Sequence, residues 1–335
     1  MSSQILDALI AAVHPDDADR YKALYSSDLG GIITEPALMV VAADDHAVHR
    51  GHAVFESVAL VEGRLYMLDA HLDRLFRSAA SAGLVLPFNR PQVRRVVLET
   101  AAAGGAMHAS VRVWLGAGRG GYGLSPGECR RPSLHVAVYL PRAPPPGGVD
   151  AAGDPTGISV CTATGVQPPD AWAAGIKSTN YLRNALAQAE AEAGGFDLGV
   201  FADPATGIVT EAANASLGII THEGELVIPP WDRALPGVTA QRVVDMLPQV
   251  RKWREMIWEK KTRARTHPFL FFFISFFLSA GDVHTRPQTR TRPPDCVPLF
   301  SCLPAGGTMS QTTNVSNLQI TIFRMRFGRT SNTRP

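Results

Sequence analysis

A stretch rich in proline and glycine near the middle of the chain limits the possible folds more than any other sequence feature. Residues 141–155 contain five prolines and three glycines. Proline fixes φ and lacks an N–H donor, and glycine weakens regular structure, so neither a helix nor a strand is expected to continue through this stretch. It therefore predicts an extended, semi-rigid connector. The chain of 335 residues leaves room for a domain of ordinary size on either side.

Hydrophobic periodicity predicts the elements of both domains. Residues 1–29 predict an amphipathic helical segment interrupted at Pro15. Residues 30–140 predict a small α+β domain with strands at 37–42, 53–61, 64–68, 110–115 and 133–140, a helix at 70–82 capped by Asp69, and a helix at 91–103. Residues 156–250 predict a larger domain with strands at 157–163, 198–202, 208–221 and 225–229, a helix at 181–193 capped by Thr179 or Asn180, and a helix at 240–247.

Charge separates the last part of the chain from the rest. Residues 1–250 carry 18 basic and 26 acidic side chains, whereas residues 251–335 carry 14 basic and 4 acidic ones. The first part thus lacks the basic surplus of a nucleic-acid-binding surface. The second part has little periodicity and predicts an aberrant, disordered basic tail. Its run Phe269–Leu278 has about half the length of a membrane span, so no membrane partner is predicted.

Cysteine spacing and the N-terminal sequence bear on the compartment. The four cysteines form no CxxC pair and have no histidine at zinc spacing, so neither a disulfide framework nor a metal site is predicted. The first residues, Met1-Ser2-Ser3-Gln4-Ile5-Leu6-Asp7, include an early acidic residue and resemble neither a signal nor a transit peptide. We therefore expect a protein of the reducing cytoplasm.

Lys177 is the first candidate for chemistry. The first 250 residues contain only two lysines, Lys22 and Lys177, although arginine is plentiful. A primary amine can lose its proton when desolvated and condense with a carbonyl to give a Schiff base, which a guanidinium cannot do. The apolar lead-in at 171–176 favours a sheltered amine. The alternative is a solvated lysine in a loop.

A Schiff-base lysine is useful mainly beside an electron sink, of which pyridoxal phosphate (PLP) is the usual one. The ring nitrogen of PLP needs a carboxylate, for which Glu211 at the start of a predicted strand is the candidate. The phosphate needs an arginine and free N–H groups at a helix start, for which Arg74 and Gly237-Val238-Thr239 are candidates. Taken singly, each has an ordinary alternative, namely an exposed glutamate, a surface arginine and a capped helix.

Taken in order, these segments resemble the class IV aminotransferases, PLP enzymes of fold type IV. The resemblance covers about residues 30 to 248, and the matching text is Val54-Phe55-Glu56, His71-Leu72-Asp73-Arg74-Leu75 with Ser78-Ala79, Lys177-Ser178-Thr179-Asn180-Tyr181-Leu182, Ala189-Glu190-Ala191-Glu192-Ala193-Gly194-Gly195, Thr210-Glu211 and Leu235-Pro236-Gly237-Val238-Thr239. Beyond residue 247 the segment that adds further phosphate ligands in this family is missing. We interpret residues 251–335 as unrelated coding, such as an intron that was read through.

The resemblance implies a two-domain fold, a homodimer and a role for each matched residue. It implies that Lys177 holds the cofactor and moves the substrate proton, and that Glu211 lies at the pyridine nitrogen. It places Arg74, Gly237, Val238 and Thr239 at the phosphate, Tyr181 near the phenolic oxygen, and Phe55 in the substrate pocket. Tyr181 follows the lysine one residue sooner than in typical branched-chain enzymes.

Residues 116–121 match the GxGxxG pattern of dinucleotide sites, but we reject that interpretation. Ser125-Pro126-Gly127 interrupts any helix that would follow, and residues 136–141 contain no carboxylate at the spacing that a ribose partner needs. In class IV enzymes this loop borders the active site. Arg119 is accordingly either a partner for a substrate carboxylate or a solvated side chain.

Three functions remain open at the level of sequence. The first is transamination between an amino acid, of branched-chain or D-amino-acid type, and a 2-oxo acid. The second is a PLP lyase resembling aminodeoxychorismate lyase, and the third is a catalytically inactive homologue. The sequence at residues 71–79 and 177–182 resembles the aminotransferases of this family more closely than the lyases, which favours transamination.

Overall fold

The computed structural model describes residues 2–141, 159–203, 206–220 and 226–246, together with the backbone of residues 254–255 and 270–274. The described residues divide into two compact units. The first contains those up to Pro141 and also Ile176–Asn180, and the second contains the others. Most of the predicted connector and most of the predicted tail lie outside the described residues.

The elements of the first unit, in chain order, are α1 Ser2–Ala12, α2 Pro15–Ala18, β1 Tyr21–Ser26, β2 Gly31–Ile33, α3 His46–His49, β3 Ala53–Val61, β4 Arg64–Leu65, α4 Leu68–Ser81, α5 Arg90–Ala103, β5 Ala109–Arg119 and β6 Arg131–Tyr139. Its six strands form one antiparallel sheet in the order β2-β1-β6-β5-β3-β4. The predicted hairpin is confirmed as β3 and β4. Glu62 and Gly63 at its turn both have positive φ, 50° and 71°, which matches the right-handed twist of the two strands.

The core of the first unit joins the sheet to α4 and α5. Strand residues alternate between the two faces of a sheet, so one face of β3, β5 and β6 supplies an apolar layer. The leucines of α4 and valines of α5 cover that layer because they recur at helical spacing. Deeply buried members of this core include Val54, Val58, Leu72, Leu75, Val93, Val97, Val111, Leu115 and Val136.

Two predictions for the N-terminal part are wrong. The sequence predicts a helical segment over residues 1–29, but Tyr21–Ser26 form β1, which pairs with β6 across residues far apart in sequence. Residues 37–42 were predicted as a strand, but Pro36–Leu38 form a 3-10 turn. The reason is local, because Pro36 lacks an N–H donor and the side chain of Glu35 accepts a hydrogen bond from Ala37 N.

The starts of the two long helices also correct the prediction. Helix α4 begins at Leu68 rather than Ala70, and Asp69 lies inside its first turn instead of capping it. The residue before the helix, Met67, has a left-handed backbone with φ of 47°. Helix α5 begins close to the predicted position, where Asn89 and Gln92 form a reciprocal capping box.

The second unit contains two small sheets and two helices of more than one turn. Its elements are β7 Val160–Ala163, α6 Ala171–Ala174, α7 Leu182–Ala193, β8 Leu198–Ala202, β9 Val209–Ala212, β10 Ser216–Ile220, β11 Leu226–Ile228, α8 Val238–Met246, β12 Arg254–Glu255 and β13 Leu270–Ile274. One sheet has the order β7-β8-β9 and the other β12-β11-β10-β13. The strand predicted at 208–221 is thus two strands, because a bend at residues 213–215 separates β9 from β10.

Two of the strands come from the predicted tail. The backbone of β12 pairs in parallel with β11, and that of β13 pairs antiparallel with β10. The phenylalanine-rich run therefore contributes the backbone of one strand. No helix in the part of the chain that the structure describes is long and apolar enough to cross a membrane.

Candidate active site

The backbone around Lys177 is fixed by the first unit. Lys177 O accepts a hydrogen bond from Phe55 N at 2.8 Å, and Thr179 N donates to Ala53 O at 2.9 Å, so the segment runs beside the start of β3. On the other side, Lys177 N donates to Ser78 Oγ of α4 at 3.2 Å. The sequence boundaries put this segment in the domain 156–250, whereas these bonds attach it to the first unit.

Thr179 and Asn180 reinforce this attachment instead of capping a helix. Thr179 Oγ1 and Asn180 Nδ2 both donate to Gly51 O, at 3.2 and 3.1 Å. Gly51 has φ of 61°, and a Cβ at this position would lie 2.0 Å from Asn180 Oδ1. The predicted cap is therefore wrong. Helix α7 begins at Leu182 without a side-chain cap because both polar side chains already bind the 51–53 segment.

The amine of Lys177 lies against an aromatic ring. Its Nζ is 4.5 Å from the ring centroid of Phe55, which is only 7% exposed. The guanidinium carbon of Arg112 is 4.9 Å from the same centroid. Sequence reasoning missed Arg112. The sequence did contain a signal, because Arg112 is a charged residue within an apolar strand. Arg112 lies on the same face of β5 as Trp114, which pairs with Phe55 of β3.

Arg74 is held by a buried carboxylate. Arg74 Nε donates to Glu56 Oε1 at 2.7 Å, and Arg74 Nη2 donates to Glu56 Oε2 at 2.8 Å. His71 Nδ1 is 2.7 Å from Glu56 Oε2. Burial alone raises the pKa of Glu56, but the hydrogen bonds from Arg74 and His71 outweigh it and lower this pKa from 4.5 to about 2. The surface position that was considered for Arg74 is excluded, since Arg74 is 6% exposed.

The second unit brings Glu211 to the segment that leads into α8. Glu211 lies on β9 and is half-buried, and its Oε2 accepts a hydrogen bond from Leu235 N at 3.0 Å. Gly237 precedes α8 and packs so closely that a Cβ there would lie 2.4 Å from Ser216 Oγ. Val238 is buried and Thr239 is half-buried in the first turn. The structure thus brings together four predicted residues.

Tyr181 is half-buried at the N-terminal end of α7. In the first turn of that helix, Asn184 Nδ2 donates a hydrogen bond to Ala213 O at 2.8 Å. Ala213 lies two residues after Glu211 in the chain. This bond links the start of α7 to the end of β9 within the second unit. Tyr181 therefore has a fixed backbone position relative to the strand that carries Glu211.

Arg119 ends β5 and forms an ion pair with Asp44. Its Nε and Nη2 donate to the two carboxylate oxygens of Asp44 at 2.8 and 3.2 Å, and its side chain is 56% exposed. The hydrogen bond from Arg119 is the main reason that the pKa of Asp44 lies below its usual value. The GxGxxG residues begin inside β5, and the next element is a short 3-10 turn. This arrangement lacks the helix that a dinucleotide site needs.

The fold also brings together three polar side chains that were not predicted from sequence. Ligand atoms of Asp28, Asp45 and His135 lie within 4.8 Å of one another. Asp45 Oδ1 is already bonded to Ala47 N at the start of α3, and Asp28 is exposed. Burial lowers the pKa of His135, which favours its neutral form. Exposed acidic side chains often cluster without a cation, so this cluster does not define a metal site.

The first unit therefore presents a lysine amine beside an aromatic ring together with a buried arginine. The second unit presents a carboxylate beside a glycine-led helix start. These are the chemical groups that a carbonyl cofactor bearing a phosphate requires.

The chain belongs to the class IV amino-transferase family, whose family model matches residues 53–264. This match confirms the resemblance found in the sequence. It also extends past residue 248, the end of the range that the resemblance covers.

Relatives and solved structures agree with this membership. The chain is 40% identical to the D-amino-acid transaminase, chloroplastic, of Arabidopsis thaliana over 69% of this chain and 60% of the relative. It is 31% identical to a putative branched-chain-amino-acid aminotransferase of Methanocaldococcus jannaschii over 62% of this chain and 69% of the relative. The chain thus spans less than two thirds of the Arabidopsis protein.

A solved structure described as a hypothetical aminotransferase from Mycobacterium tuberculosis, PLP-bound form, has the same fold. It superimposes with a TM-score of 0.62 at 24% identity, covering 76% of this chain and 87% of that one. The predicted fold type IV architecture is therefore confirmed.

Proposed function

We propose that this chain is a PLP-dependent aminotransferase that moves an amino group between an amino acid and a 2-oxo acid. Family membership supports the reaction class, and the names of the relatives support a D-amino acid or a branched-chain amino acid as the donor. The observation that carries the proposal is the position of Lys177, whose backbone is held by β3 and α4 while its amine contacts Phe55.

The residues present fit the cofactor. Gly237 lets the chain approach Ser216 more closely than a Cβ would allow, and it precedes a nine-residue helix whose first N–H groups suit a phosphate. Arg74 adds a buried positive charge in the first unit. Glu211 adds a carboxylate that a backbone N–H already orients. We propose that Arg74, Gly237, Val238 and Thr239 hold the phosphate and that Glu211 holds the ring nitrogen.

PLP, when bound, supplies an aldehyde and a ring that accepts an electron pair. With PLP bound, the amine of Lys177 would hold the aldehyde carbon and would carry the substrate proton at its Nζ. Glu211 would keep a proton on the ring nitrogen. Tyr181 would donate a hydrogen bond to the phenolic oxygen, and Phe55 would shield the Lys177 amine from water on one side.

We propose that the substrate pocket contains Phe55, Arg112 and Arg119. Arg112 contacts the same ring as Lys177, and a guanidinium can bind an anionic group of the substrate. Arg119 would first have to leave Asp44, to which it makes two hydrogen bonds. This exchange is feasible because the pair is exposed and therefore weak.

Two further parts of the proposal concern assembly and compartment. We propose a homodimer, as the class IV resemblance implies, which sedimentation velocity of the purified chain would test directly. We also retain the cytoplasm as the proposed compartment. Since the Arabidopsis relative is named chloroplastic, a fluorescent fusion in plant cells decides between the two locations.

The half-reaction with an amino acid tests the function. Purified protein is loaded with PLP and mixed separately with D-alanine, L-leucine, L-isoleucine and aminodeoxychorismate. Loss of the cofactor's visible absorbance with formation of pyridoxamine phosphate supports transamination, and the reactive enantiomer identifies the donor type. Pyruvate release from aminodeoxychorismate without pyridoxamine phosphate would indicate the lyase. PLP binding without either product would indicate an inactive homologue.

A further inference from the structure

Glu56 is a buried charged residue to which neither sequence nor family membership had given a role. It follows Phe55 on β3, so its side chain points to the opposite face of the sheet, toward α4. It is fully buried, and both carboxylate oxygens accept hydrogen bonds from Arg74. His71, one turn earlier on α4, contacts one of the same oxygens.

This network is hard to explain by stability alone. Removing two charges from water costs free energy that their attraction only partly returns, and an apolar replacement of similar volume is often as stable. A bidentate pair does fix something that an apolar pair cannot, namely the plane and direction of the guanidinium.

The same strand and helix also hold the lysine. Ser78 follows Arg74 by four residues on α4 and accepts the hydrogen bond from Lys177 N. Phe55, the neighbour of Glu56, donates its N–H to Lys177 O. A strand–helix pair therefore sets the backbone of Lys177 and the guanidinium of Arg74 together.

We propose that Glu56 is a positioning residue that orients Arg74 to bind the phosphate ester of the cofactor, with His71 holding the second carboxylate oxygen. This inference rests on the proposed function, since it takes PLP as the ligand. Its chemistry is recognition of a phosphate dianion by a guanidinium whose rotation is already restricted.

The test compares PLP with pyridoxal, which has the aldehyde and ring but lacks the phosphate. Dissociation constants of both compounds are measured by absorbance titration for the wild type and for Glu56→Asp, which keeps the charge but shortens the side chain by one methylene. We expect PLP affinity to fall at least about tenfold in Glu56→Asp while pyridoxal affinity stays within about twofold, because only the phosphate contact is misaligned.

A matched control separates positioning from general destabilisation. Val97→Ala removes buried side-chain volume from the same core on α5, away from the network, and should leave the ratio of PLP to pyridoxal affinity unchanged. Partial unfolding lowers the number of binding sites in a titration rather than this ratio, so a poorly folded variant remains informative. Glu56→Gln is the second variant and should lose the phosphate preference further.

Each result has a defined meaning. A selective loss of PLP affinity in Glu56→Asp supports the proposal. Equal losses for PLP and pyridoxal, or unchanged PLP affinity, would overturn it and leave Glu56 a structural residue. If wild-type protein forms a Schiff base at Lys177 that borohydride can reduce with neither compound, the proposed function is contradicted. The proposed role of Glu56 is then contradicted as well.

Discussion

At the scale of single residues, the structure shows how a buried charge is tolerated. Glu56 would be costly in an apolar core, but three hydrogen bonds from Arg74 and His71 keep it ionised. The sequence contained the three residues within familiar motifs but gave no sign that they contact one another. That contact depends on the packing of α4 against β3, which local patterns do not specify.

The depressed pKa of Glu56 predicts an acid-dependent loss of stability. Because the folded pKa is about 2 and the ordinary value is 4.5, the ionised carboxylate contributes its full stability above pH 4.5 and loses it as the pH falls toward 2. The contribution is about 3 kcal/mol. Urea unfolding of the wild type and Glu56→Gln from pH 6 to pH 2 measures it. Parallel stability curves for the two proteins would contradict this prediction.

Glu211 supports a prediction that separates catalysis from binding. In Glu211→Gln the amide oxygen can still accept the hydrogen bond from Leu235 N, so the local backbone should remain in place. The negative charge is lost, and we expect turnover to fall on the order of 100-fold. Cofactor content should stay near that of the wild type. Transamination rates and PLP content of the purified variant test this, and an unchanged rate would exclude the assigned role.

At the scale of elements, the sequence predicted the existence of several helices and strands better than the positions of their ends and caps. The β3–β4 hairpin and the position of α5 follow from alternation and turn residues, and these local signals were sufficient. The caps assigned to Asp69, Thr179 and Asn180 were wrong. Each polar side chain could have capped a helix, but Thr179 and Asn180 instead bind Gly51, which no short-range pattern reveals.

The start of α8 gives a prediction at this scale. Gly237→Ala places a Cβ 2.4 Å from Ser216 Oγ, so either Ser216 rotates or the first turn of α8 shifts. We expect PLP affinity to fall by about tenfold through displaced N–H groups. The double variant Gly237→Ala/Ser216→Ala removes the clash and should recover most of the loss, whereas Ser216→Ala alone is the control. Equal affinities for Gly237→Ala and for the double variant would show that the contact with Ser216 is not responsible.

At the scale of the whole molecule, residues 251–335 remain the least typical part of the chain. Their charge opposes that of the preceding residues, yet the family match extends to residue 264 and the backbone of β13 pairs with β10. Composition could predict the change in character, but it could not predict which short apolar segment would find a strand partner. Such pairing depends on an available strand edge rather than on the segment alone.

The interpretation of this region as unrelated coding predicts a particular transcript. Sequencing messages across codons 245–260 should find that the abundant form lacks the codons for residues 251–335. An abundant message that carries these codons, accompanied by a 335-residue product in cells, would contradict the interpretation. In that case the strands contributed by residues 254–255 and 270–274 would belong to the working protein.

The most direct test of the account is the identity of the residue that binds the cofactor. Purified protein is incubated with PLP, reduced with borohydride, digested and mapped by mass spectrometry, with Lys177→Arg as the control that keeps the charge. We expect a pyridoxyl group on Lys177 and none in the control. A pyridoxyl group on Lys22 or another lysine instead, or no modified peptide at all, would contradict it.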